Sequence, residues 1–204
     1  MYFTRNDQLM GKNESDVIII GAGLTGLALA YYLKEKKISV RIIEARNRVG
    51  GRIHTVRNDN SPPIELGATW IGKQHTAIIA QLKELKIDLF EQILGDYAIY
   101  EPISTSPAQV VQLPPNNDPS FRIKGGSDVL IETLAKSLNT DQVILNETIY
   151  SISLENDQVT VAGKKQTYTC SKVVSTLPPH LFVNNILVAQ RVSRYCQYNS
   201  YVDG

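Results

Sequence analysis

Four apolar residues in a row, Val17-Ile18-Ile19-Ile20, stand between a polar opening of fifteen residues and a glycine-rich turn. An unbroken β-branched run predicts a strand covered on both faces, as in a parallel sheet. Past the turn the period changes: Leu24, Leu27, Ala28 and Tyr31 share one side of a helix predicted over about 24–36. A second strand follows over 39–43. Residues 74–86 read as another helix, with Ile78, Ile79, Leu82 and Leu85 on its buried side. From Tyr97 to Pro119, five prolines interrupt short apolar alternations, the texture of edge strands and loops. Gly125-Gly126 opens a further helix carrying Leu130, Leu134 and Leu138 at four-residue intervals. Strands are predicted over 142–146, 149–154 and 158–162. The last two form a hairpin across Glu155-Asn156-Asp157, with Ile152, Leu154, Val159 and Val161 alternating. A strand over 172–176 ends at Pro178-Pro179. Strand, helix and strand in succession place the chain in the α/β class.

Composition narrows the function classes. The 204 residues are 43% hydrophobic with a formal net charge of +1, an ordinary globular make-up that gives no reason to invoke nucleic acid or an anionic membrane. No run approaches the ~18 apolar residues of a spanning helix. Residues 1–15 lack the apolar centre of a signal peptide. Cys170 and Cys196 have neither metal spacing nor a pairing pattern, which fits a reducing, cytoplasmic setting. Asn13 and Asn146 head glycosylation sequons, read here as chance. His54, His75 and His180 are scattered, with no acid or serine at a suggestive spacing. No nucleophile–base pair and no metal site are expected.

The glycines carry the first chemical signal. Gly21, Gly23 and Gly26 follow the strand at the spacing G-x-G-x-x-G. Gly21 permits the tight turn, Gly23 leaves room for a pyrophosphate against bare backbone, and Gly26 lets the helix pack on the strand. Leu24, Thr25 and Gly26 would then present helix N-terminal N–H groups to the phosphates. Glu44 stands at the end of the second strand, where a carboxylate can accept both ribose hydroxyls. NAD and FAD share all of these parts. The continuation Ala45-Arg46-Asn47-Arg48-Val49-Gly50-Gly51-Arg52 favours FAD, because Gly50-Gly51 offers a second bare backbone and Arg52 a charge-assisted contact. Arg46 lies near the ribose end. Its rival role beside a 2′-phosphate, as in NADP sites, is opposed by the retained Glu44.

Glu44-Ala-Arg-Asn-Arg-Val-Gly-Gly-Arg52, followed by Ile64-Glu-Leu-Gly-Ala-Thr-Trp-Ile-Gly72, resembles the flavin-containing amine oxidases, the monoamine oxidase-like flavoproteins. The second segment is similar to the family's D/E-x-G-G-x-W stretch, with Ala68 replacing its second glycine. The resemblance places Gly67, Ala68, Thr69 and Trp70 beside the flavin ring. By composition alone, Trp70 reads equally well as a core aromatic. Ile123-Lys-Gly-Gly126 resembles the family's Pro-Gly-Gly turn with Lys124 in place of proline. The stretch from Val143 to Ile149 matches a strand whose end, at Ile149, contacts adenine. Val173-Val-Ser-Thr-Leu-Pro-Pro179 matches a strand and turn that return to the cofactor. The likeness runs from about Asp16 to Leu187.

The resemblance implies a Rossmann-like FAD-binding domain with an inserted, incomplete α+β substrate domain. It also implies an oxidoreductase in which an amine gives a hydride to the flavin, the imine hydrolyses, and O2 reoxidises the flavin to give hydrogen peroxide. Its partners are then a small amine and O2, and the catalytic residues are not identifiable. Residues 1–15 are expected to be a polar leader, 16–81 the first part of the FAD domain and 82–120 an excursion into the substrate domain. Residues 121–187 are expected to be the second part, and 188–204 an atypical tail. The family's chain is considerably longer, and its lysine-bearing later half has no counterpart here. A truncated or frameshifted reading is therefore expected, with weak flavin retention, poor solubility and activity left open. Three alternatives remain at this stage: a flavin-binding module without catalysis, a carotenoid-desaturase- or protoporphyrinogen-oxidase-like enzyme, and an NAD(P)-dependent dehydrogenase.

Overall fold

A computed structural model describes residues 13–58, 61–93, 95–115 and 118–189. The expected leader lies mostly, and the expected tail almost wholly, outside these residues. The chain divides into two compact units, residues 1–52 with 131–204, and residues 53–130.

In chain order, the first unit opens with β1 (Glu14–Ile20), α1 (Leu24–Glu35) and β2 (Val40–Ile43). The second unit brings β3 (Thr55–Asn58), β4 (Ser61–Glu65), β5 (Ile71–Gly72), α2 (Thr76–Glu84), β6 (Leu89–Glu91), β7 (Tyr97–Tyr100), β8 (Gln109–Gln112) and β9 (Ser120–Ile123). After α3 (Asp128–Lys136), the first unit resumes with β10 (Val143–Ile144), β11 (Ile149–Glu155), β12 (Gln158–Gly163), β13 (Thr167–Ser175), α4 (Pro179–Asn185) and β14 (Leu187–Val188).

The first unit is built on one seven-stranded sheet in the order β10-β2-β1-β13-β12-β11-β14. Strands β10, β2, β1 and β13 run parallel, and β13, β12 and β11 form an antiparallel meander. Val17 to Ile20 are buried, as a central parallel strand requires. One face of the sheet is covered in part by α1, whose Gly26 comes close enough to Ile19 that a Cβ there would lie 3.3 Å from the isoleucine Cγ2. The core cluster combines Ile18, Ile20 and Ile43 with Ile149, Ile152, Val161 and Tyr168. The hairpin predicted across Glu155–Asp157 is present, with Asn156 and Asp157 both at positive φ in the turn.

Two elements depart from the sequence pattern. Strand β13 begins at Thr167, five residues earlier than expected, because its polar positions Thr167 and Thr169 pair with β12 while Tyr168 and Cys170 enter the core. Pro178-Pro179 ends that strand but also starts α4, with proline in its first turn where a missing N–H costs nothing.

The second unit consists of small antiparallel pieces: the β3–β4 pair, the three strands β5-β9-β6, and the β7–β8 hairpin. Its α2 buries Gln81 and Leu82 and is two residues shorter at each end than the periodicity indicates. The hairpin exposes Ile99 and Val110, which face each other across it. No helix among the described residues is long and apolar enough to cross a membrane.

Candidate functional site

Strand β1 delivers the chain into a turn whose geometry is set by three backbone hydrogen bonds. The Gly21 N–H donates to the Ile43 carbonyl at 2.9 Å, and the Thr176 N–H donates to Ile20 at 3.0 Å. The Gly50 N–H donates to the Ala22 carbonyl at 2.8 Å. Gly23 and Gly50 form a parallel bridge, so the first glycine turn and the Gly50-Gly51 loop lie side by side. Thr176, from the turn after β13, closes the other side, its hydroxyl within 3.0 Å of the Ile20 carbonyl. This threonine was not picked out by the sequence. Its only signal was membership of the Val173–Pro179 stretch.

The three glycines of the turn are glycine for different reasons. Gly21 has φ +105°, and a Cβ there would sit 2.8 Å from Thr176 Oγ1. At Gly26 a Cβ would meet the Gly21 carbonyl oxygen at 2.1 Å, an impossible contact. Both are therefore dictated by the protein's own packing. Gly23 is not: its φ of −75° suits any residue, and a Cβ would touch only Gly51 Cα, at an ordinary 3.9 Å. Nothing among the described residues demands a bare backbone at Gly23.

Helix α1 starts at Leu24 with Gly23 as its cap residue, and no side chain caps it. The first intrahelical bond runs from the Leu27 N–H to the Gly23 carbonyl at 3.0 Å. The N–H groups of Leu24, Thr25 and Gly26 thus belong to the unpaired first turn, at the positive end of the helix dipole and beside Gly23.

Glu44 follows β2 and is buried. Its Oε2 accepts from the Ala22 N–H at 2.8 Å and its Oε1 from the Arg46 N–H at 2.9 Å. Each carboxylate oxygen can accept a second hydrogen bond, so acceptor capacity remains on both. Ala45 and Arg46 are exposed. Arg48 braces the loop, donating from Nη2 to the Gly51 carbonyl at 3.1 Å, and Arg46 Nη1 reaches the same oxygen at 3.4 Å. Arg52 is exposed at the loop's end. Two guanidinium groups, of Arg46 and Arg48, and a helix N-terminus therefore flank the paired glycine turns, an arrangement suited to an anion.

Ile149 is 4% exposed and packs in the core cluster, so a contact between this residue and a nucleotide would fall to its backbone. The structure thus brings Gly21 to Gly26, Glu44 to Arg46 and Gly50 to Arg52 together within the first unit.

Gly67, Ala68, Thr69 and Trp70 lie in the second unit, between β4 and β5. Trp70 is 56% exposed, which removes its reading as a core aromatic. Thr69 Oγ1 accepts from Arg122 Nε at 3.2 Å. Just before this segment, Glu65 accepts from the Ser127 N–H at 2.7 Å and from the Thr55 hydroxyl at 2.9 Å. Arg57 pairs with Asp128 and donates to the Gly125 carbonyl at 2.7 Å. Two segments far apart in sequence, 55–69 and 122–128, are wired together by these bonds.

Known proteins resemble this chain in sequence and in fold. The model of the family described as flavin containing amine oxidoreductase matches residues 24–115 and 106–194. The flavin-containing amine oxidase B of Mus musculus is 40% identical over 80 residues, 39% of this chain and 15% of the relative. Amine oxidase A of Sus scrofa is 41% identical over 76 residues, 37% of this chain and 14% of the relative. Among solved structures, wild-type putrescine oxidase bound to putrescine aligns with a TM-score of 0.73 at 20% identity, covering 86% of this chain and 60% of that one. Cyclohexylamine oxidase from Brevibacterium oxydans aligns at 0.74 and 18% identity, covering 85% and 60%. The matched stretch is thus a small part of the curated relatives and about three-fifths of the solved ones.

Proposed function

The chain belongs to the flavin containing amine oxidoreductase family, and from that premise we propose that residues 21–52 seat the adenosine diphosphate half of FAD in an amine-oxidising flavoprotein. FAD is the cofactor, in keeping with the flavin-containing family and relatives. The observation that carries the proposal is Gly23. A glycine in unstrained backbone, with room for a Cβ and three unpaired N–H groups following it, is explained by a phosphate approaching from outside the chain.

The residues then divide the work. Gly23 and Gly51 admit the pyrophosphate, and the N–H groups of Leu24, Thr25 and Gly26 donate to it. Arg46 and Arg52 add positive charge, while Arg48 holds the loop. Glu44 accepts the ribose hydroxyls with its remaining lone pairs, and its negative charge repels a 2′-phosphate, which disfavours NADP. The seven-stranded sheet is a Rossmann-like platform for this site, and the exposed Gly67 to Trp70 segment is the part assigned to the flavin ring. When bound, FAD supplies the redox chemistry, taking a hydride from the carbon that bears an amine nitrogen and passing the electrons to O2. The amine oxidase names of the relatives favour this branch over a carotenoid-desaturase-like or protoporphyrinogen-oxidase-like enzyme.

Titration of the purified chain with FAD, then with a panel of amines under a peroxide assay, tests the proposal. Saturable FAD binding with peroxide release supports it in full. Bound flavin that no amine bleaches supports a binding module without turnover, and failure to bind FAD overturns the site assignment.

A further inference from the structure

Glu147 is 1% exposed and sits in the loop between β10 and β11, where the sequence offered no reason to single it out. Its side chain and its main chain point to different jobs. The carboxylate Oε1 accepts from the Lys165 N–H at 2.9 Å in the β12–β13 turn. It lies so close over Gly163 that a Cβ there would come within 2.4 Å of the same oxygen. The adjacent Thr148 carbonyl accepts from the Lys164 N–H at 2.9 Å, so the loop is stitched to that turn twice.

The backbone of the same loop holds the nucleotide site. The Glu147 N–H donates to the Glu44 carbonyl at 3.0 Å, and the Asn146 N–H donates to the Arg46 carbonyl at 2.9 Å. The Glu44 N–H donates in return to the Ile144 carbonyl at 2.8 Å. Asn146 adopts φ +57° to make this turn. The segment that carries the ribose acceptor is therefore gripped along its length by residues 144–147, and those residues are gripped by the Glu147 carboxylate.

Burying a carboxylate is costly unless partners offset it. Glu147 Oε2 has no hydrogen-bond partner among the described residues, and neither has the buried Arg41 Nη1. Both side chains act electrostatically on the buried Tyr168 ring. An apolar side chain at position 147 would avoid that cost but would lose the bond to Lys165. The bond to Lys165 is what the buried carboxylate contributes in return.

We propose that Glu147 is a positioning residue of the nucleotide site, fixing the Glu44 carboxylate in the place from which it receives the ribose hydroxyls. The proposal rests on the FAD reading above. It predicts that loss of the tether removes recognition of the ribose and leaves recognition of the phosphates intact.

The test compares binding of ADP with binding of 2′,3′-dideoxy-ADP to the full 204-residue chain. Wild type should prefer ADP by at least about tenfold, the worth of a charge-assisted hydrogen bond. Glu147→Ala should cut that preference below about twofold while affinity for dideoxy-ADP changes little, whereas Glu147→Gln, whose amide oxygen still accepts from Lys165, should retain it. Lys165→Pro deletes the same bond from the solvent side and should behave like Glu147→Ala, which keeps the test decisive should that variant not fold. Absence of any ADP preference in wild type would overturn the ribose role of Glu44 itself. A wild-type preference kept in full by both Glu147→Ala and Lys165→Pro would overturn the role of Glu147 alone.

Discussion

Glu44 Oε2 and the Ala22 N–H, twenty-two residues apart, are joined by a buried hydrogen bond of 2.8 Å. Through it the end of β2 is fastened to the glycine turn after β1, so the residue proposed to accept the ribose also shapes the turn proposed to hold the phosphates.

Glu44→Gln puts an amide NH2 against one of two backbone donors, since the carboxylate now accepts from both Ala22 and Arg46. The expected cost is about 1–3 kcal/mol of stability. Urea denaturation should show a lowered midpoint, and an unchanged midpoint would contradict the bracing role.

Burial pushes the Cys170 thiol from 9.0 up to about 11, and burial, the largest cause, also raises Tyr168 above its ordinary 10.0. Both groups are held neutral in the folded state, whereas the unfolded chain releases their protons more readily. Above pH 9 the folded state therefore binds more protons than the unfolded one, and stability falls as pH rises. Thermal melts should decline between pH 9 and about 11, and Cys170→Ala should flatten that window. In a Cys196→Ser background, a native Cys170 thiol that reacts rapidly with a soluble disulfide reagent at neutral pH would contradict this burial.

Ile99 and Val110 face each other on the β7–β8 hairpin and are 77% and 74% exposed. An uncharged apolar pair on a two-stranded ribbon invites association. Ile99→Lys combined with Val110→Glu should reduce self-association in light scattering while changing stability by no more than about 0.5 kcal/mol.

The β1–α1–β2 segment was legible because its signals are local: a β-branched run, glycine spacing, then helical periodicity. The chemistry of Gly21 was only half legible, since its neighbour Thr176 lies 155 residues away and approaches only through strand pairing. The first half of β13 was hidden because Thr167 and Thr169 look polar until β12 supplies their partners. Strand β4 contains Pro62 and Pro63, which read as breakers but are tolerated in a two-stranded ribbon with a free edge. Glu147 could not be found from sequence at all. A glutamate in a loop is ordinarily a solvated surface residue, and only the fold buries this one.

The assignment of residues 21–52 to FAD rests on why residue 23 is glycine. The direct measurement is an FAD titration of Gly23→Ala, with Gly26→Ala as the control for packing. Gly23→Ala should melt like the wild type, since its Cβ meets nothing closer than 3.9 Å, and should bind FAD at least about tenfold more weakly. Gly26→Ala, driven against the Gly21 carbonyl at 2.1 Å, should lose about 1–3 kcal/mol of stability or more. A Gly23→Ala protein that binds FAD as tightly as the wild type would contradict the central claim.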